Sequence, residues 1–458
     1  MMPTFIRNDK YRIKKDGDEV FFENDSGASI KTDKLMAEVW MAAHQKDEKA
    51  IYDELLGANP VSTIYLETAL KLLVNSGLLI DRDKGLFLGK DVVNENRDLD
   101  SLVSIVVVNF NGKHHLEELF ESIEEQGLDN LEIILVDNGS GDGSIDWTKE
   151  YWPDVNIVSN GKNNGFAEGN NIGIAASKGD YIFLVNNDTK LEKGCIQELV
   201  KMADEKPKVG AVIPKLRLYD LPNFINAIGN RVSSSGWGSD NYIGHLDIGQ
   251  FDNIEEVFSA CFGAVLLSRS ALEEVGPLDK AYKFYYEDSD WSFRARIRGL
   301  KIYLAPKAIV YHKFNASMKA RSYDFKLYLL VGNRIRFALK NLSIRPALSF
   351  TRNYLKEDIR NFLGALRRFH FVRMATYIKA WARIMIMLPG ILFLRMSIQK
   401  SRVMGIRDHD IFTISASENN IPLIDKKSRP ILDSRIIRKI YIHQLGDELD
   451  REEAEVAN

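Results

Sequence analysis

Residues able to do chemistry gather at a few points along this chain, each where an apolar run stops. VVVNFNG ends on Asn109, Asn111 and Gly112. ILVDNGSGDGS ends on Asp137, Asn138 and a glycine-rich turn. FLVNNDT ends on Asn186, Asn187 and Asp188. A carboxylate in such a place can accept hydrogen bonds from a base or ribose, or ligate a hard cation. Asn, Asp and Gly are also the ordinary residues of turns, so one such end alone says little. Three matching ends say more. Further on, FYYEDSDWSFRARIRG places Glu287, Asp288 and Asp290 in the first turn of a helix. There they complement the helix dipole. Alternatively, one of them is a general base whose proton affinity is kept up by its like-charged neighbours. Phe284, Tyr285, Tyr286 and Trp291 beside them are of the kind that stack on sugar rings. His312 stands just past the apolar run of AIVYHKF, 24 residues after Asp288, where a metal-ligand role is plausible. The pair His114–His115 has no such context and reads as surface.

The intervening pattern says how these residues are held. From Leu102, short β-branched runs (SIVVV, EIILV, YIFLV) alternate with helical stretches at His115–Gln126 and Ala167–Ser177. Such alternation predicts βαβ units and a mainly parallel sheet buried on both faces. In such sheets ligands bind at the carboxyl ends of strands, where the polar residues lie. Asn164 and Gly165 form a turn before the second helix. Its Gly169, Gly173, Ala175 and Ala176 permit close approach to sheet or ligand.

Two flanking regions differ from this α/β segment. Residues 1–95 read as a small unit of three helices (Thr32–Ala43, Lys46–Leu56, Val61–Ser76) and a hairpin in GLLIDRDKGLFLG, which is winged-helix-like. Its mixed charge has no basic stripe, so nucleic acid is not expected as a partner, and protein docking or a structural role fits better. Residues 90–101 read as a polar linker. Residues 341–458 read as a basic helical region with an acidic tail. Between 331 and 406 there are 15 Lys or Arg and two acidic residues, interleaved with aromatic and aliphatic ones. That is the composition of a segment drawn to an anionic membrane surface. The alternative is a basic helical pair packed on the α/β segment.

Composition excludes more than it identifies. With 458 residues the chain is long enough for two to four domains. A net charge of -3 favours no class of partner. Cys195 and Cys261 lack metal-ligand spacing and fit a reducing compartment. The first residues lack the apolar stretch of a signal peptide. The longest apolar run, Ile384–Leu394, is broken by Pro389 and Gly390 and is too short to span a bilayer. The expectation is therefore a cytoplasmic protein, peripheral at the inner face of the cell membrane. Oligomeric state is not legible.

Taken in order, VSIVVVNFNG, ILVDNGSGDGS, NNGFAEGNNIGI, FLVNNDT, FGAVLLSRSALEEVGPLD, FYYEDSDWSFRARIRG, AIVYH and GNRIRFALKN resemble family 2 glycosyltransferases of GT-A fold. They look most like the rhamnosyltransferase-like and galactofuranosyltransferase-like branch. The resemblance covers about residues 102–342, and it implies an α/β catalytic domain at 100–340 and an inverting transfer. The donor would be a nucleotide-diphosphate sugar, and the acceptor a hydroxyl of a glycan, lipid-linked or free. It further implies that Val108, Asn109, Asn111, Asp137 and Asn138 line the nucleotide pocket, with Asn164, Gly165, Asn187 and Trp291 nearby. Asn170 stands where many relatives carry an arginine. Asp188 takes the last position of the Asp-x-Asp motif, whose first position is Asn186 here. Asp188 and His312 would hold Mn²⁺ or Mg²⁺. Asp288, paired with Glu287, would be the catalytic base.

Rival readings are a protein glycosyltransferase that captures peptide with its N-terminal unit, and a non-catalytic sugar-nucleotide-binding module. A dinucleotide-binding dehydrogenase would need G-x-G-x-x-G after the first strand, where the chain has VVNFNGKHH.

Overall fold

The computed structural model describes residues 4–16, 19–25, 29–32, 34–47, scattered positions from 50 to 81, 99–232, 238–243, 245, 247, 251–313 and 323–418. The N-terminal part opens with strands that the sequence reading did not assign: β1 (Thr4–Arg7), β2 (Tyr11–Asp16), β3 (Glu19–Asn24) and β4 (Ser29–Thr32). β2, β3 and β4 form an antiparallel meander. Helix α1 (Lys34–Ala42) falls inside the expected first helix, but β5 (Lys46–Asp47) pairs with β1 where the second was expected to begin. β6 (Leu79–Asp81) also pairs with β1. The rest of the expected hairpin and the acidic tail lie outside the described residues. Phe5, Phe22, Trp40 and Leu73 share a core with Leu218, Leu221 and Phe224, so this part is packed on the segment that follows.

That segment runs β7 (Val103–Asn109), α2 (Lys113–Glu124), β8 (Leu131–Asp137), α3 (Ser144–Tyr151), β9 (Asn156–Ser159), α4 (Phe166–Ala176), β10 (Tyr181–Asn186) and β11 (Thr189–Leu191). It continues with α5 (Cys195–Glu205), β12 (Val209–Leu218), β13 (Ile225–Ala227), β14 (Asn230–Val232), β15 (Gly238–Asp240), β16 (Ala264–Ser268), α6 (Arg269–Val275), α7 (Glu287–Arg296) and β17 (Lys301–His312). The sheet order is β11-β17-β12-β16-β10-β7-β8-β9, with β13 on β12. β9, β8, β7 and β10 are parallel, as the alternating pattern predicts. β16 lies antiparallel between β10 and β12, so the sheet is mixed. One core lies on each face, with Ile105, Val107 and Phe183 on one side and Val106, Ile182 and Leu184 on the other. Odd and even residues of a strand point to opposite faces, and both faces are covered.

The C-terminal part comprises α8 (Tyr323–Asn341), α9 (Ile344–Arg367), α10 (Phe371–Lys400) and α11 (Asp408–Glu418). α10 continues through Pro389 and Gly390, which the sequence reading took as an interruption. By length and composition it could cross a membrane. Ile384, Ile391 and Ile398 recur every seven residues, and all three are buried. They form one seam, which the bundle core with Ile335 and Phe337 of α8 continues.

The small residues of α4 set its height above the sheet. A Cβ on Gly173 would stand 2.2 Å from Val106 Cγ1 and 3.1 Å from Val136 Cγ2. Gly173→Ala gains helix propensity worth ~1 kcal/mol but overpacks the core at a cost of ~1–3 kcal/mol. Urea unfolding should give a net loss of stability. An unchanged midpoint would mean that the helix can lift off the sheet.

Candidate active site

Register alone aligns the polar strand ends. Asn109 pairs with Asp137, Asp137 with Ser159, and Asn186 with Val108. Here the chain uses most of its asparagines on itself. Asn109 Nδ2 donates to Ser144 Oγ (2.9 Å), and Asn187 Nδ2 donates to Asn109 Oδ1 (2.8 Å). A Cβ on Gly112 would collide with Asn187 Nδ2, so the close approach requires a glycine there. Asn111 takes the left-handed conformation (φ 54°), and its Oδ1 accepts from Gly141 N (2.8 Å). Asp137 Oδ1 accepts from Ser140 N (3.0 Å). Together these bonds fold the glycine turn over the ends of β7 and β8. Asn138 Nδ2 donates to Gly165 O (3.1 Å), and Asn138 Oδ1 accepts from Asn160 Nδ2 (2.7 Å). Asn160 Oδ1 accepts from Asn164 Nδ2 (3.1 Å). Asn160, absent from the sequence reading, ties the end of β9 into this network. Asn170 is buried and donates back to Phe166 O of its own helix (3.0 Å). Val108 is half-buried and lies under Gly169 of α4.

On the far side of β10, the turn Asn186–Asn187–Asp188 leads into β11. β11 pairs antiparallel with β17, with Thr189 opposite His312. That register brings Asp188 Oδ1 to 3.2 Å from His312 Nε2. His312 Nδ1 lies 2.7 Å from Asn226 Oδ1, a pure acceptor, so Nδ1 carries a proton. Nε2 is thereby aimed at Asp188, with Asn186 Nδ2 at 3.4 Å. Burial lowers the His312 pKa, but the Asp188 carboxylate outweighs it and leaves it raised. His115 is not the surface residue its sequence context implied. It is half-buried, near enough to Asp188 and Lys313 to feel their charge, and burial followed by the charge of His114 pushes it down to about 4.

The three carboxylates of α7 have different fates. Asp290 is fully buried and accepts from Tyr282 Oη (2.9 Å) and Asn341 Nδ2 (2.7 Å). It also pairs with Arg294 (3.0 Å) and Lys340 (2.6 Å). Glu287 is buried, and burial with the charge of Asp288 pushes its pKa well above the carboxylate range. Asp288 alone is partly exposed. Its Oδ1 accepts from Ser289 N (2.6 Å), and its Oδ2 accepts from Asn230 Nδ2. Burial raises its pKa, the Ser289 amide opposes this and the Asp240 carboxylate adds to it, leaving it pushed up to about 6. Asp240 is itself pushed up to about 6 by burial, against the charges of His312 and Lys326. It is felt by both Asp288 and His312, and thus links the two halves of the site. Asn226, Asn230 and Asp240 come from β13, β14 and β15, which the sequence reading did not single out.

Trp291 has no access to a ligand. It is completely buried, its Nε1 donates to Gly276 O (3.0 Å), and it packs near Phe262. A helical turn that starts with acidic residues at the rim carries its next aromatic into the core. Tyr286 is also buried, its Oη accepting from Gly238 N (3.1 Å). Both cysteines are free thiols.

The mixed sheet with carboxylates at its strand ends has the form of a GT-A domain. Residues 104–276 match the family model for glycosyl transferase family 2, so the chain carries a domain of that family. It is similar to the low-salt glycan biosynthesis hexosyltransferase Agl10 of Haloferax volcanii, with 24% identity over 247 residues, 52% of this chain and 75% of the relative. It is also similar to the N-acetylglucosaminyl-diphospho-decaprenol L-rhamnosyltransferase of Mycobacterium tuberculosis, with 25% identity over 241 residues, 48% of this chain and 78% of the relative. A solved structure of GalNAc-T7 with UDP, GalNAc and Mn²⁺ overlaps with a TM-score of 0.43 and 15% identity, covering 52% of this chain and 48% of that one.

Asp290 and Asp279 anchor the site from below. Asp279 accepts from Arg336 (2.6 Å) and Lys340 (2.6 Å). Burial would raise both carboxylates, but Lys340 with Arg336 holds Asp279 below the usual range, and Lys340 with Arg294 does the same for Asp290. Depressed pKa values add stability that is complete above the unfolded-state value of about 4 and is lost as pH falls below it. Urea unfolding at stepped pH should show that decline. Asp290→Asn leaves buried Arg294 without its carboxylate and Lys340 with Asp279 alone, and should cost about 3–5 kcal/mol at pH 7. A loss under about 1 kcal/mol would mean that the network is not needed for folding.

Proposed function

We propose that this chain is an inverting glycosyltransferase that moves a sugar from a nucleotide-diphosphate donor to a hydroxyl of a lipid-linked glycan. The observation that carries this reading is Asp288: a partly exposed carboxylate with a pKa pushed up to about 6, on the same rim as the Asp188–His312 pair. A base of that strength is mostly ionised at neutral pH and can still accept a proton in the transition state. Asp288 takes the proton of the acceptor hydroxyl. The hydroxyl oxygen bonds to the anomeric carbon from the side opposite the diphosphate, and the bond to the diphosphate oxygen breaks. Asn230 holds Asp288 in place, and buried Glu287 stays neutral beside it.

The donor site in this reading is the platform of Val108, Asn109, Asn111, Asp137, Asn138, Asn164, Gly165 and Asn187. Most of these side chains shape the loops, so nucleotide contacts fall to Asp137, Asn111 and the backbone. Asp188 and His312 fit a divalent cation, because a carboxylate oxygen and an imidazole nitrogen with its tautomer fixed by Asn226 converge within 3.2 Å. Among the described residues no group of three or more His, Cys, Asp or Glu could hold a metal ion, so the donor phosphates and water would complete the set. Mn²⁺ or Mg²⁺ held there would neutralise charge on the departing diphosphate.

The lipid-linked acceptor is favoured by the C-terminal helices. α9 exposes Ile344, Leu348, Leu355, Ile359, Leu363 and Leu366 along one stripe, flanked by exposed Arg345, Arg352, Lys356 and Arg360. α10 exposes Ile386 (80%) and Phe393 (69%) opposite its buried seam. Along its inner face Arg395 donates to Leu339 O (2.7 Å) and Gln399 to Asn341 O (2.6 Å). A helix tied down in this way suits lying in a membrane interface better than crossing it. The relative that acts on a diphospho-decaprenol, by its name, fits such a placement. The chain would then work at the cytoplasmic face of the membrane, in cell-surface polysaccharide synthesis.

A thermal-shift screen of nucleotide sugars with Mn²⁺, Mg²⁺ or chelator tests the donor site. One nucleotide class should raise Tm, and chelator should remove most of the shift. No shift with any of them would leave only a fold without this chemistry. Asp288→Asn should abolish transfer while donor binding remains. In the wild type, kcat should fall as pH drops through about 6, because protonated Asp288 cannot act as base. A flat profile from pH 5 to 8 would place the base elsewhere. Ile386→Glu with Phe393→Glu should reduce co-sedimentation with vesicles containing anionic phospholipid. Undiminished binding would remove the membrane-surface reading.

A further inference from the structure

The segment Asp279–Tyr286 leads into α7 and determines where Asp288 stands. Its backbone is strained: Lys283, Tyr285 and Tyr286 have φ of 64°, 66° and 74°. Bulky residues hold such left-handed conformations only where their surroundings impose them. Asn333 of α8, wholly buried, does so here. Its Nδ2 donates to Tyr282 O (3.1 Å), Phe284 O (2.8 Å) and Tyr285 O (3.0 Å). Its Oδ1 accepts from Arg383 Nη1 of α10 (3.3 Å), and Arg383 Nη2 donates to Ala281 O. Gly332 leaves room for that guanidinium, since a Cβ there would stand 3.2 Å from Nη1. The same segment reaches the donor side. Lys283 O accepts from Phe166 N (2.8 Å) and Ala167 N (3.4 Å), the first residues of α4. Three backbone carbonyls converge on one amide group, and a carboxylate in its place would repel all three.

We propose that Asn333, braced by Arg383, is a positioning residue for transfer: it fixes Lys283–Tyr286 and thereby sets Asp288 against the start of α4. This rests on the reading of Asp288 as base. Among the described residues, the side chains of Asn333 and Arg383 bond to Ala281, Tyr282, Phe284, Tyr285 and each other, and to neither the strand-end platform nor the Asp188–His312 pair. Their effect is therefore on placement, and small displacements of a base lower the rate more than they weaken binding.

The test uses the full-length protein and hydrolysis of whichever nucleotide sugar gives the largest thermal shift, with water as acceptor. Asn333→Asp should lower kcat by on the order of 10²-fold. The KM for the nucleotide sugar should stay nearly constant, and the acid limb of the kcat profile should move away from pH 6. Arg383→Ala should lower kcat in the same way. Arg383→Lys, which can still donate to one of the two oxygens, should recover most of the rate. Without any ligand, hydrogen exchange should speed up in 281–290 in Asn333→Asp and Arg383→Ala but not in β10. If Asn333→Asp does not fold, the Arg383 pair decides. Wild-type kcat and acid limb in the folded variants would overturn the proposal, as would equal losses in Arg383→Ala and Arg383→Lys with unchanged exchange in 281–290. Asp288→Asn separates the two ideas. If it remains active, the base assignment fails. If it is inactive while the Asn333 and Arg383 variants behave as wild type, only the positioning role fails.

Discussion

The ionised carboxylate of Asp290, fully buried in the first turn of α7, is the constraint on which the rest is built. A bare charge there would be prohibitively costly, so Lys340, Arg294, Tyr282 and Asn341 must all converge on it. Meeting that requirement locks α8 and the segment before α7 to α7 itself. It also separates three nearby acids electrically. Asp290 is pinned as an anion by its cations, Glu287 is kept neutral by burial, and Asp288 is left between them with a proton affinity near the middle of the useful range. One short stretch of sequence thus gives a fixed anion, a neutral acid and a carboxyl poised between them, distinguished only by what each side chain meets.

Much of this could be read from the sequence because strand ends and helix starts are punctuated locally. Asp137, Asp188 and Asp288 stand at such points, and apolar β-branched runs marked the strands leading to two of them. The pairing of Asp188 with His312 required only that both stretches end on one rim. What could not be read is carried by the excursion from β13 to β15. Asn226, Asn230 and Asp240 lie there on three-residue strands, too short for any periodicity to register. Trp291 was misassigned because an aromatic beside an acidic turn looks the same whether it faces a sugar or the core. The helical phase put it inside. His115 was misassigned because a histidine pair in a helix's first turn gives no hint that one ring is half-buried and feels the charge of Asp188. The strands of residues 4–32 were missed because charged residues alternate through them and blur the apolar pattern.

The strand-end asparagines carry a further lesson. An amide both donates and accepts, so Asn109, Asn138, Asn160, Asn164 and Asn187 can link neighbouring loops without leaving charge in a crowded space. Their value is architectural. They let the backbone at the ends of β7, β8 and β9 keep a defined shape without adding charge between the strands.

α10 has one face bonded to α8 and to the segment before α7, and the other apolar and exposed. Because the inner face is bonded through Arg383, Arg395 and Gln399, the stand-off between the outer face and the Asp288 carboxylate is a property of the fold rather than of the encounter. A helix lying on a lipid surface would then act as a ruler. Among acceptors tethered to that surface, only hydroxyls held at the matching height would reach the base. Chain length in a growing glycan could thus be sensed by geometry, without any residue that recognises the earlier sugars.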